Sequence, residues 1–529
     1  MMYGAAPMCA LPWSADRRDL RVYCDMTMDL SAELTLKIYV TSSAGYATEP
    51  TDTPANQPFR GVLKSFSFSR SIMQGDIGRF TTGTGNLKID NADAEYDFLQ
   101  LSYAIDGRPI AIRIGRPDQP YAETYPLAKL TATGWNVDTD AISIDLVDYS
   151  YKLEVPMQPH TYGGTGGANG GADLTGKRKP LVFGNAQNIS PVLLVPNLLI
   201  YQAHDGAMQS IDAVYDRGVP LTGAGDVANY AALAAASVTS GQFKTCLAAG
   251  LLKLGSSANG TVTADVKGDA TDGYLVRTAD IVRWALRHRT VLSDPVDLSV
   301  LSFDQVNLAQ PAPIDYFIGP DDNLTVAAFI DNIMGGIGGW GGHRLDGTFE
   351  VRIFQAPSGS PADAFTRADM LGGDIKKEPL PESYRPPRWR WRVPYQRCWT
   401  VQTDLAGAVT AARKAFVAEP YRLAEATSST IQLDHPFAQD RDPVQSYFSQ
   451  ASDAAAEAAR LIDLFKTTRA IYRMSLPRRA LRREMGDVIS VTHERFDLRA
   501  GRLMVVLEWD ARVEFENGGM DTVEIAAYG

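Results

Sequence analysis

Between residues 29 and 160 apolar side chains recur at every second position. Phe66 and Phe68 alternate with Ser65, Ser67 and Ser69. Ile110, Ile112 and Ile114 alternate with Ala111 and Arg113, and Ile142, Ile144 and Leu146 alternate with Ser143 and Asp145. Successive side chains on a strand point to opposite faces. A period of two, repeated over short segments broken by Gly, Asp and Asn, therefore predicts half-buried strands in a sandwich or barrel. The dipeptide Asp106-Gly107 marks a tight turn between two of them.

The period changes further along. Asp226 is a candidate cap for an alanine-rich helix reaching about Val238, and Thr278 for a second with Ile281, Val282, Ala285 and Leu286 on one face. Val326, Phe329, Ile330, Ile333, Met334 and Ile337 fall at helical spacing. A glycine-rich turn and a strand follow, in which Phe349, Val351 and Ile353 alternate with Glu350 and Arg352. Pro379, Pro381, Pro386 and Pro387 mark a boundary. Beyond it Ser452 can cap a helix striped with Ala454, Ala458, Leu461, Ile462 and Phe465, and strands near 487–492, 502–509 and 521–528 end the chain. At 529 residues the chain exceeds one core, and about three or four domains are expected. The pattern divides it into an extended arm (1–28), a β-rich domain (29–160), a mixed domain with a Gly-rich loop (161–290), a small α+β domain (291–378) and a C-terminal β-rich domain with one long helix (379–529). The fold class is α+β, β-rich and multidomain, with barrel-like or sandwich-like domains and helical insertions.

Charge and composition narrow the function. A formal charge of −11 argues against a nucleic-acid binder in its own right, because affinity for phosphates comes from clustered Lys and Arg. Cys9, Cys24, Cys246 and Cys398 are scattered without a CxxC pair. They read as free thiols rather than as a disulfide framework or a four-ligand zinc site, with a metal role for Cys9 and Cys24 weakly signalled. No apolar run is long enough to cross a membrane, and MMYGAAPMCALPW lacks the basic start of a signal peptide.

Catalytic patterns are missing. The histidines (His160, His204, His288, His343, His435 and His493) show neither HxH nor HExxH spacing, and there is no GxSxG elbow. Neighbours such as His204-Asp205 and Asp434-His435 point to opposite faces of a strand, which disfavours a base–orienter couple. Asp90, Asp93, Glu95 and Asp97 lack the spacing and central Gly of an EF-hand and read as a solvated turn. The Gly-rich run at 160–176 lacks the GK[ST] ending of a phosphate loop. In Arg388-Trp389-Arg390-Trp391-Arg392, a strand places Trp389, Trp391 and Val393 on one face and the arginines on the other. That is an amphipathic strand rather than a base-stacking platform. No catalytic, cofactor-binding or metal residue is assigned.

Five blocks, in order over roughly residues 35 to 528, resemble the hub proteins at the tail tip of long-tailed bacteriophages. They are GRFTTGTGNLKIDNADAEYDFL from Gly78 (with DGRPIAIRIG from Asp106), the segment Gly176 to Thr222 beginning GKRKPLVFGNAQNISPVLL, and TCLAAGLLKLGSSANGTVTADVKGD from Thr245. The helix and glycine turn from Phe329 to Trp340 with the strand ending at Phe354, and GDVISVTHERFDL from Gly486, complete the set. The resemblance implies a non-enzymatic virion protein of the tail tip, made in the bacterial host cytoplasm. It implies a homotrimeric ring that caps the tail tube, with a distal-tail ring and the C-terminus of the tape-measure protein as partners. Fibres or a central spike would attach beneath, and DNA would pass only in transit. A tail-associated cell-wall hydrolase and a receptor-binding adhesin are the alternatives.

Overall fold

The computed structural model describes residues 21–31, 34–42, 45–74, 76–115, 119–467, 469–514 and 522–529. The alternating segments form strands. Leu63–Ser71 turns Phe66 and Phe68 inward, Pro109–Gly115 buries Ile110 and Ile112, and Ala141–Val147 buries Ile142, Ile144 and Leu146. All join one sheet of thirteen strands. Its order runs Leu34–Thr41, Arg21–Ser31, Pro109–Gly115, Tyr125–Val137, Ala141–Val147, Thr84–Asp90, Leu63–Ser71, Arg502–Glu514, Thr522–Tyr528, Ile471–Leu476 and Ile375–Glu378. Val488–Thr492 pairs with Arg502–Glu514, and Asp363–Thr366 lies parallel to Val488–Thr492.

The sheet is thus composite. Leu63–Ser71 meets Arg502–Glu514 in antiparallel register, with Phe66 opposite Val513 and Phe68 opposite Ala511. Strands of the expected 29–160 and 379–529 divisions share one core, which includes Phe66, Phe68, Ile144, Trp509 and Ile525. Burying each large apolar side chain contributes roughly 1.5–3 kcal/mol, which favours joining the two half-covered sheets along one seam. Among the described strands the sheets stay open, so the barrel expected as one option does not close: Leu34–Thr41 and Ile375–Glu378 remain as edges. Of the expected arm, residues 1–20 lie outside the described residues, and from Arg21 the chain is a strand paired on both sides.

Two smaller sheets are inserted. One runs Val219–Pro220, Met208–Asp216, Val262–Asp269, Leu181–Ile189 and Asp315–Ile318; the other runs Val192–Val195, Ile200–Gln202, Leu251–Leu254, Gln242–Cys246 and Thr222–Asp226. Two glycines let the first pack tightly. A Cβ on Gly184, at φ +66°, would meet the Ile314 carbonyl oxygen at 1.8 Å, and one on Gly268 would meet that of Val182 at 2.2 Å.

A helical layer sits between the sheets. It holds Thr278–Arg289, Val300–Ala309 and Val326–Gly335, with the hairpin Gly339–His343 and Phe349–Ile353. Phe183, Trp284, Phe329, Phe349, Trp391 and Val393 share its core. The helix starts differ from the expected caps. Asn229, not Asp226, caps a short helix, Tyr230–Ala235, by accepting from the Ala232 N–H, while Asp226 ends a strand. Thr278 is the first residue of its helix, and the long helix is Ala451–Phe465, so Ser452 lies inside it. Thr325 does cap Val326–Gly335, accepting from the Ala328 N–H at 3.2 Å.

Candidate functional site

Three separated stretches of sequence meet beside the composite sheet. Phe80 follows the strand Met73–Gln74 and the turn at Gly78, and its ring stacks on Trp340 at 6.0 Å. A Cβ on Gly342 would lie 2.4 Å from that ring. Gly in the hairpin strand Gly339–His343 therefore admits an aromatic side chain from more than 250 residues earlier in the chain.

Charge completes the joint. Arg70, almost fully buried, donates to Glu484 at 2.8 Å, and the other Glu484 oxygen accepts from the Leu345 N–H at 3.1 Å. Arg352 pairs with the buried Glu350 at 3.1 Å and faces Asp487 at 3.6 Å. Arg344 approaches Glu350 at 3.6 Å. Burial pushes the Glu350 carboxyl up, against the pull of Arg352 and Arg344. A buried ionic network of this kind is costly to break from one side, about 3–5 kcal/mol per removed partner, because the orphaned charge stays desolvated. It ties together segments far apart in the chain.

Next to this joint lies a cavity of about 900 Å³. Arg79, Gly335, Tyr384, Trp391, Arg460 and Phe465 are among its lining residues. The Arg388–Tyr395 strand supplies one wall. Trp391 is buried and stacks on Phe465 of the long helix at 5.3 Å, and Phe465 stacks in turn on Tyr384 at 4.7 Å. Trp389 is half-buried. The arginines meet acids: Arg390 pairs with Glu425 and Asp440, and Arg392 with Asp440 at 3.3 Å. Their charge is thus compensated within the chain, and the strand is amphipathic as its alternation implies.

The histidines are dispersed. His160 Nδ1 lies 2.7 Å from Asp205 at the surface. His204, fully buried, accepts the Val182 N–H at Nδ1 at 3.0 Å and has Asp269 3.2 Å from Nε2. This His–Asp couple joins residues 65 apart and escaped a reading of sequence neighbours. Thr271 also donates to Asp269, through its N–H and its hydroxyl, so the couple is an internal brace. His288 pairs with Asp272 at 2.9 Å. His343 sits between the rings of Tyr149 and Phe349, where burial pushes its pKa down to about 3. His493 Nε2 donates to the Gly373 carbonyl at 3.0 Å while its Nδ1 accepts the Arg495 N–H.

Cys246 and Cys398 are buried, and burial pushes both thiols up, opposite to the shift a nucleophile needs. Cys24 lies in the strand Arg21–Ser31, opposite Val40 and Ile112, while Cys9 lies outside the described residues. In the acidic turn Asp90 pairs with Lys64 at 2.9 Å, Glu95 with Arg60, and Asp97 accepts from the Asn91 amide. Among the described residues no three His, Cys, Asp or Glu side chains gather as a metal site, and no helix is long and apolar enough to cross a membrane.

No protein-family model and no curated protein matches the sequence. Solved structures do. The chain is similar to a tail protein from Neisseria meningitidis MC58, with 6% identity over 89% of this chain and 93% of that one and a TM-score of 0.39. It is similar to the 43 kDa tail protein of prophage MuSo2 from Shewanella oneidensis, with 10% identity over 96% and 98% and a TM-score of 0.40. A chain of a native gene transfer agent virion matches with 14% identity over 67% and 84% and a TM-score of 0.37.

Proposed function

We propose that this chain is a structural protein of a phage or prophage tail tip, the hub that caps the tail tube. In this reading three copies form a ring below the last tube ring and contact the distal-tail proteins and the end of the tape-measure protein. The ring carries fibres or a spike and opens as the conduit for DNA ejection. It works as a platform and not as an enzyme.

The observation that carries this reading is the order of the five sequence blocks that resemble tail hubs, together with where the fold puts them. Phe80 of the first block stacks on Trp340 of the fourth. Arg352 of the fourth faces Asp487 of the fifth. Leu181–Ile189 of the second pairs with Val262–Asp269 of the third. Direct contacts thus link the first block to the fourth, the fourth to the fifth and the second to the third. A net charge of −11 suits a wall past which DNA slides without sticking.

Gold-labelled antibody against residues 380–529, applied to particles from an induced or infected culture, tests it. Label confined to one end of a tail is expected. Label absent from both intact and partly disassembled particles refutes the assignment, and heat-sensitive clearing of cell wall by the purified chain would refute the non-enzymatic part.

A further inference from the structure

The hairpin of Gly339–His343 and Phe349–Ile353 uses its two edges unequally. The Gly338 carbonyl accepts from the Phe354 N–H, and the Arg344 N–H donates to the Thr348 carbonyl. Hydrogen-bonded pairs alternate along an antiparallel ladder, so within the hairpin they are Trp340 with Arg352 and Gly342 with Glu350. Gly339, Gly341 and His343 therefore turn their N–H and C=O groups away from the partner strand, as Phe349, Val351 and Ile353 do on theirs. On the second strand such groups are in use. The Phe349 N–H donates to the Asp297 carbonyl, the Phe349 carbonyl accepts from Ser299, and the Val351 N–H donates to the Ser302 hydroxyl at 3.1 Å. The far end of the first strand is in use too: the His343 carbonyl accepts from Arg70 at 3.4 Å, and Leu345 donates to Glu484 and accepts from Lys129. Gly339 and Gly341 differ. Both are buried, yet among the described residues neither N–H and neither carbonyl of the two meets a hydrogen-bond partner.

Leaving buried backbone groups unbonded costs free energy, so they ask for a partner. There is room for one. Gly341 lines a cavity of about 400 Å³ with Thr81, Thr82, Glu154, Ile330 and Asp331. That volume is far above the share of a single water, about 30 Å³, and lies in the range of small-ligand sites, roughly 300–1,000 Å³. Gly339 and Asp331 also line the cavity of about 900 Å³ beside it, so the unpaired edge runs from one cavity to the other. Glu154 and Asp331 are the charged groups of the smaller cavity, both are exposed, and neither carboxylate makes an ion pair among the described residues. The charge of Arg79, on the wall of the larger cavity, acts on Asp331 without an ion pair between them.

We propose that the edge from Gly339 to Gly341 is a strand-addition site: an extended segment of a partner protein, carrying Lys or Arg, pairs with it backbone to backbone. An added strand bonds the N–H and C=O of alternate residues along an edge, and Gly339 and Gly341 are such alternate residues. Glycine at both positions lets another backbone come close. Charge selects the segment. A cationic side chain on the added strand meets Glu154 and Asp331 unneutralised, whereas an acidic one is repelled. The same two carboxylates disfavour the phosphates of a nucleic acid. The site does not depend on where in a particle the chain sits, so it can fail while the tail-tip reading stands, and the reverse.

Residue-resolved hydrogen exchange of the full-length chain tests this with three capped peptides. They are Val-Lys-Val-Lys-Val, Val-Glu-Val-Glu-Val, and the lysine peptide with its backbone nitrogens methylated. The lysine peptide is expected to slow exchange of the Gly339 and Gly341 amides about tenfold. It is expected to leave the Trp340 and Gly342 amides unchanged, because the hairpin already holds them. The glutamate and N-methylated peptides are expected to leave all four unchanged. Glu154→Gln with Asp331→Asn, both at exposed positions where unchanged melting is expected, should weaken the lysine peptide about tenfold. Slowing of all four amides alike, or equal protection by the N-methylated peptide, overturns strand addition. No protection by any of the three overturns the site. Equal protection by the glutamate peptide, or undiminished binding to the double variant, overturns the choice of a basic partner.

Discussion

The thirteen-strand sheet and the inserted sheets are built in opposite ways. In the large sheet the central seam joins Leu63–Ser71 to Arg502–Glu514, so that Phe68 pairs with Ala511 across most of the chain. In the insert, Leu181–Ile189 and Met208–Asp216 both pair with Val262–Asp269, and all three lie within ninety residues. Loop closure grows costlier with separation, and long-range pairing slows folding. The insert can therefore form from its own neighbourhood, with Val182, Val214, Ala264 and Val266 as its core. The central seam of the large sheet needs a strand from each end of the chain. The difference teaches that one chain can combine a locally specified unit with a sheet whose central seam needs strands from both ends of the sequence.

The largest expected effect breaks the long-range seam. Trp509 is fully buried, donates through Nε1 to the Ala480 carbonyl at 3.1 Å and lies beneath the Arg70 guanidinium. Trp509→Ala is expected to cost about 3–5 kcal/mol, read by denaturant unfolding. Hydrogen exchange sharpens the test: amides of Arg502–Glu514 lose protection while those of Val262–Asp269 keep theirs. Equal loss in both would show that the two regions unfold as one unit.

A middle-sized effect is expected where the C-terminal part reaches over the insert. Arg413 donates to the Asn188 side chain, approaches Asp265 at 3.3 Å and covers the Tyr215 ring at 3.7 Å. Arg413→Ala leaves the buried Asp265 short of a cation, at a cost of about 1–3 kcal/mol. Here the signature reverses: protection falls in Met208–Asp216 and Val262–Asp269 and holds in the large sheet.

The effect expected to be smallest at acidic pH, and to grow as pH rises, belongs to Asp315, on the strand that edges the insert. It is fully buried, accepts from Trp399 Nε1 at 3.1 Å and has the Ser449 hydroxyl at 3.5 Å, and burial pushes its pKa up to about 8. A folded pKa raised above the unfolded value near 4 means that the folded chain holds the proton more tightly. The stability this gives is complete below about pH 4 and is lost as pH rises toward 8. Relative to its value below about pH 4, Asp315→Asn is expected to gain stability over wild type progressively as pH rises from about 4 toward 8, with no further gain above. Parallel stability profiles for the two proteins would show that this carboxyl does not titrate as burial dictates.

Much of the β structure was legible because alternation is local. The strands around Phe66, Ile112 and Ile144 follow from side-chain period alone, as does the amphipathic strand at Trp391, whose ring the fold buries. The helix Val326–Gly335 followed from its apolar spacing. The helix Val300–Ala309 escaped that reading: its apolar residues lie on opposite sides, so no single stripe appears. The caps shifted by a few residues for a similar reason, since Asn229 and Asp226 are both competent and packing chose between them.

What the sequence determined by itself is therefore local: strand faces, four of the eight α-helices among the described residues, the acidic balance, and the absence of the short spacings that catalytic and metal motifs need. What only the tertiary structure decided is the company each residue keeps. The seam between Leu63–Ser71 and Arg502–Glu514, the buried Arg70–Glu484 pair, the His204–Asp269 brace and the stack of Phe80 on Trp340 all join residues far apart in the chain. Period and propensity act over a few residues, whereas burial and ion pairing act through space. Which faces meet is set by the free energy of covering them together, and no window along the chain contains both partners.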